Sequence, residues 1–426
     1  MKGFKLLIIL IALILLPSKA EAMRQYIPYS TGIAVSAAID SAADFMGSNS
    51  QEVTIANASQ VEGLIKVAGT FSGFRFKIST APAAGKTWVF TLVVNGSDTA
   101  VTCTISNPDT TCNTGANTAV VASGDRVYLK ISPTGTPTAV QINASVIYTT
   151  GTSGYSSFWG TSLDQTQVAG LTRYSPMVGN RSTLATTVNT AARVTVPMTG
   201  TLRRLTFRTT TAPTGSDTAI ATVRKNNADT GLTCTVTGAG TTCNDDSNTV
   251  AVVQGDTLEL KVVTSATAAT LGYNYGWVFE SGNDLSHPLF VAGPNLSASA
   301  TRYNPIQGVG NLGITDTVEA DIQQLGQSAM TLTNMYVLLA AAPGAGTSYT
   351  GVVRVNGVDT GVDVQVSGTN TTDSENGQTA TVAQDDLLSI GWTPAGTPTA
   401  TNAFTSMVAN TATAVAGGED FAFFFD

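Results

Sequence analysis

The chain repeats one passage three times, and this repeat constrains its fold more than any other feature. The passage TAPAAGKTWVFTLVVNGSDTAVTCTISNPDTTC, from Thr80, returns as TAPTGSDTAIATVRKNNADTGLTCTVTGAGTTC from Thr211. It returns again, more diverged, as AAPGAGTSYTGVVRVNGVDTGVDVQVSGTNTTD from Ala341. The offsets are 131 residues (234 − 103, two equivalent Cys) and 130 residues (343 − 213, two equivalent Pro). A period this long is the size of a domain, not of a solenoid repeat.

The repeat predicts three tandem domains of about 130 residues, each large enough for one hydrophobic core. The predicted segments are an export signal over 1–22, domains over 31–150, 155–281 and 286–410, and a Phe-rich tail over 411–426. The joints between the domains are short, polar and rich in Gly, Ser and Thr. We expect such joints to separate the domains without letting them drift far apart.

The composition favours β-sheet and argues against a nucleic-acid partner. Only 12% of residues are charged, while 42% are hydrophobic, and Thr, Ser and Gly supply much of the rest. This balance is typical of sheets with uncharged polar outer faces rather than of disordered chains. The net charge of −8 and the absence of a Lys/Arg run leave nothing to neutralise phosphates.

The N-terminal residues have the pattern of a secretory signal. Lys2 and Lys5 precede an apolar run, Leu6–Leu16, which Pro17 ends before small residues that reach Ala22. Eleven apolar residues are too few to span a bilayer. We therefore expect cleavage after Ala22, a secreted or cell-surface location, and no membrane association afterwards. The alternative is an uncleaved N-terminal anchor.

The four Cys form two equivalent pairs, each with eight residues between its members. In an exported chain such pairs predict disulfides. The third copy has Val364 and Asp373 at these positions, so both members are lost together, as expected of a bonded pair. Two pairs of free buried thiols are the alternative. The predicted structural disulfides join Cys103 to Cys112 and Cys234 to Cys243.

Each copy shows the period-two alternation of antiparallel strands, interrupted by recurring turns. Asn95-Gly96, Asn226-Asn227 and Asn356-Gly357 predict type I′ hairpins. Acidic residues recur after this turn and in a second one, and we expect them to bind their own turn backbone rather than calcium or substrate. These residues are Asp98, Asp229 and Asp359 after the first turn, and Asp125, Asp256, Asp385 and Asp386 in the second.

About eight short strands per copy predict an all-β fold of three tandem antiparallel β-sandwiches, and we favour the jelly roll. An immunoglobulin-like sandwich is the alternative. The copies are longer than the ~100 residues of that fold, and the paired Cys lie too close in sequence, by this reasoning, to bridge two sheets.

The sequence offers no clear catalytic, cofactor or metal site, and we expect a non-enzymatic protein without cofactors. A nucleophile–His site could be built only at His287, the single His, which lies in the second joint and is expected to be a surface linker residue. Acidic residues alone leave a glycosidase open, because that chemistry needs only two carboxylates. Candidates such as Asp164, Glu319 and Asp321 have no distinguishing neighbours.

The aromatic residues do not recur as a sugar-binding platform would require. Trp88, Trp277 and Trp392 occupy non-equivalent positions, so we interpret them as core residues. A cleft lined by Tyr155 or Trp159 would instead indicate carbohydrate binding.

One polar–aromatic pair does recur, before the second and third copies. Because Arg and Tyr are favoured at interfaces, these residues are interface candidates, and bracing the domain entrance is the alternative. The pairs are Arg173-Tyr174 and Arg302-Tyr303.

The C-terminal tail is a further interface candidate. Its Phe residues predict either a last strand on the third domain or an edge strand that docks on a neighbouring copy by β-augmentation. They are Phe421, Phe423, Phe424 and Phe425.

Two strings carry a resemblance to known proteins: APGAGTSYTGVVRVNGVDT from Ala342, and V-x-x-G-D-x-hydrophobic-x-L-K-hydrophobic from Val121. Together they resemble uncharacterised jelly-roll repeats of environmental tailed phages and bacterial exported proteins. They are distantly similar to the trimeric jelly rolls of the tumour-necrosis-factor and complement type. The resemblance implies structural or receptor-binding parts of virions or cell surfaces. The signal segment departs from the phage pattern.

These observations lead us to expect an exported, non-enzymatic structural or adhesive binding protein at a surface. The alternatives are a phage virion component, such as a fibre, spike or decoration protein, and a secreted carbohydrate-binding protein. The expected partners are copies of the same chain, forming a homo-oligomer, or a surface glycan or protein.

Overall fold

The computed structural model describes residues 23–30, 35, 40–43, 53–162, 167–180, 192–283, 285–293, 295–309 and 317–411. The predicted signal segment and the four Phe residues of the tail lie outside these ranges.

The described residues form β-strands and two short 3₁₀ helices, Ile55–Gln60 and Glu319–Asp321. We group the strands into units 1, 2 and 3, in chain order. Unit 1 contains β1 (Arg24–Ser30), β2 (Ser41–Ala43), β3 (Val53–Thr54), β4 (Gly63–Leu64), β5 (Gly69–Ile78), β6 (Thr87–Val94), β7 (Ser97–Ser106), β8 (Thr111–Asn113), β9 (Thr118–Val121), β10 (Arg126–Thr134) and β11 (Ile142–Thr150). Unit 2 contains β12 (Tyr155–Thr161), β13 (Thr172–Ser175), β14 (Gly179–Asn180), β15 (Val194–Thr195), β16 (Gly200–Thr209), β17 (Thr218–Lys225), β18 (Ala228–Thr237), β19 (Thr242–Val252), β20 (Thr257–Thr264) and β21 (Tyr273–Glu280). Unit 3 contains β22 (Ser286–Ala292), β23 (Asn295–Leu296), β24 (Arg302–Asn304), β25 (Gly308–Val309), β26 (Gln324–Leu325), β27 (Met330–Leu339), β28 (Gly344–Val355), β29 (Val358–Gly368), β30 (Thr372–Glu375), β31 (Ala380–Val382), β32 (Leu387–Ala395) and β33 (Thr401–Thr411).

Each unit is a sandwich of two sheets with the same strand order. In unit 2 the orders are β14-β12-β21-β16-β19 and β13-β20-β17-β18, with β15 also paired to β20. Without the short strands, the orders are first–eighth–third–sixth and second–seventh–fourth–fifth, which is the jelly roll. The pairing is antiparallel apart from the two-residue pairs β12–β14 and β22–β25. The predicted all-β sandwich class is confirmed.

The predicted hairpin turns adopt the expected conformation, because both central residues have positive φ. The φ values are 51° and 79° at Asn95-Gly96, 49° and 68° at Asn226-Asn227, and 52° and 77° at Asn356-Gly357. A type I′ turn needs this geometry at both positions, and it matches the twist of the flanking strands.

The second recurring turn is clamped by the side chain of its acidic residue, as predicted. In unit 2, Asp256 accepts the backbone N–H of Val253 at 3.0 Å and the side-chain amide of Asn226 at 2.6 Å. Burial opposes the ionisation of Asp256, but these hydrogen bonds and nearby Lys225 outweigh burial and lower its pKa. Asp125 and Asp386 make the same two contacts in units 1 and 3.

The acidic residues that follow the first turn behave differently from the prediction. Asp98, Asp229 and Asp359 form ion pairs with cations on other strands of the same sheet instead of binding their own turn backbone. The cation lies two strands away in units 1 and 2, across β6 and β17, and on the adjacent strand in unit 3. The partners are Lys130, Lys261 and Arg354.

Both predicted disulfides are present, and each joins the two sheets of its sandwich. Cys103 lies on β7 and Cys112 on β8, which belong to opposite sheets. The expectation that these Cys are too close in sequence to bridge two sheets is therefore wrong. The chain crosses between the sheets at this edge, so a short connection is sufficient. In unit 3, Asp373 instead accepts the backbone N–H of Gln365 at 2.7 Å across the same edge.

Replacing Cys234 and Cys243 together by Ala should lower the free energy of unfolding by about 2–3 kcal/mol, because the closed loop is short. Urea denaturation would measure this loss. Asp373→Ala is the matched change in unit 3, where only a hydrogen bond is lost, and it should cost about 1 kcal/mol. Equal losses in the two variants would contradict a structural role for the disulfide.

The four Trp side chains are fully buried, in agreement with the interpretation of Trp88, Trp277 and Trp392 as core residues. Trp88, Trp159 and Trp277 have no exposed surface, and Trp392 is 1% exposed. Tyr155 is also buried, so neither Tyr155 nor Trp159 presents a stacking face to solvent. The sugar-binding cleft that these two residues would have marked is absent at that place.

Candidate functional site

The three units contact one another head to tail and close into a ring. The short strand β4 of unit 1 contacts β12 and β21 of unit 2. Its equivalent β15 contacts β22 and β33 of unit 3, and β26 contacts β1 and β11 of unit 1. A heterologous interface that closes after three copies forms a three-membered ring, here within a single chain.

The contact between units 1 and 2 is close because two Gly residues lie in it. The Trp159 indole packs against Gly63, and Gly276 lies against the backbone of Leu64, so a Cβ at either Gly would overlap its neighbour. Two hydrogen bonds flank this contact: Thr161 Oγ1 donates to Gln60 O at 2.6 Å, and Asn274 Nδ2 donates to Ser59 O at 2.8 Å.

The contact between units 2 and 3 uses a hydroxyl pair and an aromatic cluster. Thr195 Oγ1 lies 2.9 Å from Ser406 Oγ, and both side chains are buried. Phe290 of unit 3 meets Phe158 and Trp277 of unit 2, with ring centroids 5.2 and 5.9 Å apart. These rings join the apolar core of unit 2 to unit 3.

The contact between units 3 and 1 closes the ring without a covalent link. Gln327 accepts a hydrogen bond from Ser145 Oγ at 2.6 Å and donates to the carbonyl of Gly73. Tyr26 Oη lies 2.5 Å from Ser328 Oγ. Ser145, Gly276 and Ser406 are equivalent (145 + 131 = 276; 276 + 130 = 406), so the same strand position meets the adjacent unit at all three contacts.

Buried apolar side chains pack across all three contacts. One cluster of buried side chains covers units 1 and 2 and includes Phe290 and Ala292 of unit 3. A second covers unit 3 and includes Tyr26 of unit 1. The predicted joints therefore connect packed units and do not hold them apart.

His287 is part of the ring closure and not a surface linker residue, so that prediction is wrong. It lies in β22 with no exposed surface, and Tyr26 N donates to its Nε2 at 3.4 Å. Its Nδ1 has no hydrogen-bond partner among the described residues. Burial lowers its pKa to about 3, so the imidazole is neutral at physiological pH. The joint contributes a strand because β22 pairs with β33.

The recurring Arg-Tyr pairs lie on β13 and β24, at the entrance to units 2 and 3. The Tyr174 ring faces the guanidinium of Arg224 at 5.3 Å, and the Tyr303 ring faces that of Arg354 at 5.5 Å. Such cation–π contacts hold the entering strand against the sheet. Their partner Arg residues belong to the same unit.

Arg224 and Arg354 also form ion pairs with carboxylates, and neither Arg was predicted from the sequence to have a role. Arg224 pairs with buried Glu259; burial raises the pKa of Glu259, and the Arg224 charge opposes the rise. Arg354 pairs with Glu319 at 2.9 Å, and this hydrogen bond raises the pKa of the guanidinium. A comparison of the three copies would have indicated these residues. Copy one has Val93 at the position of the Arg, and it also lacks the Arg-Tyr pair.

The described residues contain no group of three side chains placed to hold a metal ion, and no helix long and apolar enough to cross a membrane. No family model matches the chain, and no curated protein matches it in sequence. We therefore infer the function from the arrangement of the described residues. The main features of this arrangement are the ring and the grooves between its units.

Proposed function

We propose that this protein is a rigid, ring-shaped scaffold at the outside of a cell or particle, and that it acts as a structural or adhesive binding protein through its surfaces. The observation that carries this proposal is the head-to-tail closure of three jelly-roll units within one chain. Such closure arranges three similar surfaces at fixed positions without requiring association of separate chains.

Two further observations support an extracellular role. The disulfides indicate an oxidising compartment, and they reinforce the open edge of units 1 and 2. The exposed residues of the edge strands β7 and β18 are mostly small and uncharged, with Thr at 102, 104, 233, 235 and 237. A surface of this kind stays soluble at an exposed location without attracting nucleic acid.

The closed ring also changes the expected role of self-association. The apolar faces that a separate jelly roll would use to form a trimer are already covered by the next unit of the same chain. Any homo-oligomer would therefore use the outer faces of the ring or the Phe-rich tail.

An antibody against the folded protein, applied to intact source cells and to particles shed from them, tests this proposal. We expect labelling before lysis, together with no free thiol in the extracted native protein. Labelling of purified particles alone would favour the virion component. Labelling only after lysis, with reactive thiols, would overturn the proposal.

A further inference from the structure

Two clefts lie side by side along the contact between units 3 and 1, and they share Lys77. The first, of about 220 Å³, is lined by Arg75, Phe76, Lys77, Thr111, Asn113 and Asp385 among others. The second, of about 260 Å³, is lined by Lys77, Ser79, Gln141, Asn143, Asp321 and Gln323 among others. Together they form one groove across the ring-closing contact, which we call the 3–1 groove.

The pseudo-threefold repeat supplies an internal comparison for this groove. Lys77 is equivalent to Arg208 (77 + 131), and Gln323 is equivalent to Glu62 (62 + 131 + 130). Between units 1 and 2, Arg208 and Glu62 form an ion pair at 2.7 Å. In the 3–1 groove the carboxylate is replaced by an amide, and Lys77 has no ion pair within 4.0 Å among the described residues.

A second pair of equivalent positions places the same amide at both contacts. Asn274 donates to Ser59 O between units 1 and 2. Its equivalent Asn143 (274 − 131) lines the 3–1 groove beside Ala320, the equivalent of Ser59 (59 + 131 + 130). Asn143 is only 8% exposed, and its Oδ1, like that of Asn274, has no hydrogen-bond partner among the described residues. A buried polar atom without a partner is costly unless something binds it.

The remaining charges in the groove are balanced. Arg75 binds Asp385 in a bidentate ion pair, with N–O distances of 2.6 and 2.5 Å. Asp321 contributes a carboxylate to the same cleft as Lys77. The groove therefore offers an ammonium, a carboxylate, amides and a hydroxyl, without a strong net charge.

We propose that the 3–1 groove binds a saccharide through the hydroxyl groups of its rings. Sugar hydroxyls both donate and accept hydrogen bonds, so they match a groove with donors at Lys77 and Gln141 and an acceptor at Asn143. The combined volume suits a small ligand of one or two rings. The inference rests on the proposed function and adds the chemical class of the ligand for the adhesive surface.

The test is binding of the full mature protein to an array of neutral, amino and acidic glycans, followed by titration of the bound glycans. Gln323→Glu should supply Lys77 with the carboxylate that Glu62 gives Arg208, and so close the groove without removing a packing contact. We expect this change and Lys77→Gln each to weaken binding at least tenfold. Lys86→Gln, which removes a half-buried Lys of the same unit that does not line the groove, should leave binding unchanged.

Thermal melting of each variant separates a lost ligand site from a lost fold. The inference is supported if the two groove variants bind the glycan more weakly and Lys86→Gln binds it as well as the wild type does. The absence of binding to any glycan, or binding that all three variants retain, would overturn it. If the wild-type protein is labelled at the cell surface but binds no glycan on the array, this inference is overturned and the proposed function still stands.

Discussion

Gly276→Val should destabilise the protein by about 3 kcal/mol or more and open the contact between units 1 and 2. A side chain at this position would overlap the carbonyl oxygen of Leu64, which is backbone and cannot rotate away. Overpacking of this kind usually costs 1–3 kcal/mol, and a backbone neighbour places the cost at the upper end. Urea denaturation gives the free energy, and limited proteolysis of the Gly151–Gly154 connection reports the opening.

Gly231→Val is the matched control in the same unit. Gly231 lies on the exposed side of β18, and an added Cβ would find only the side-chain oxygen of Asn248, 3.9 Å away. Val is favoured over Gly in a strand, so stability should stay equal or rise slightly. If both variants had the same stability, units 1 and 2 would not be packed as described.

Stability should also fall steeply as the pH decreases from about 6.5, because His287 is buried as the neutral imidazole. Its folded-state pKa of about 3 lies below the ordinary value of 6.5, so protonation favours the unfolded chain. The stability is complete above pH 6.5 and is lost progressively as the pH falls toward 3. At pH 5 the loss from this one group should be about 2 kcal/mol.

Burial raises the pKa of Glu259, so the contribution of His287 is isolated by comparing wild type with a variant that lacks this His. The chain contains a single His, and Asp229, Asp245 and Asp256 have lowered pKa values, so these carboxylates stay ionised at pH 5. Urea denaturation of wild type at pH 7.5 and pH 5 should therefore differ by about 2 kcal/mol.

His287→Asn keeps a polar side chain but does not titrate. Whatever its stability at pH 7.5, the difference between the two pH values should be about 2 kcal/mol smaller in this variant than in wild type. A wild type that is equally stable at both pH values, or a variant that retains the full difference, would show that His287 is not buried in the ring closure.

The strands and turns could be predicted from the sequence because they depend on local rules. Period-two alternation sets which face of a strand is buried, and Asn-Gly fixes a turn through φ alone. The spacing of Cys234 and Cys243 likewise predicted a bond, although not that the bond joins two sheets. In each case the determining residues lie within about ten positions of one another.

The ring could not be predicted in this way, because its contacts join residues far apart in sequence. The residues around Gly276 and Leu64 form no pattern that predicts their contact. His287 was expected to be a linker residue because of its place in the second joint. Burial of His287 depends on Tyr26, 261 residues away. Only the comparison of equivalent positions among the copies, as with Arg208 and Lys77, separates residues that brace the ring from residues that leave a groove open.

Small-angle X-ray scattering of the mature protein, with its mass determined on the same sample, tests the ring most directly. A closed ring in one chain predicts the mass of a single chain and a radius of gyration of about 21 Å, the value for a compact body of about 400 residues. A single-chain mass with a radius of gyration on the order of 30 Å or more would mean that the three units are strung out in a row, and would contradict the closed ring.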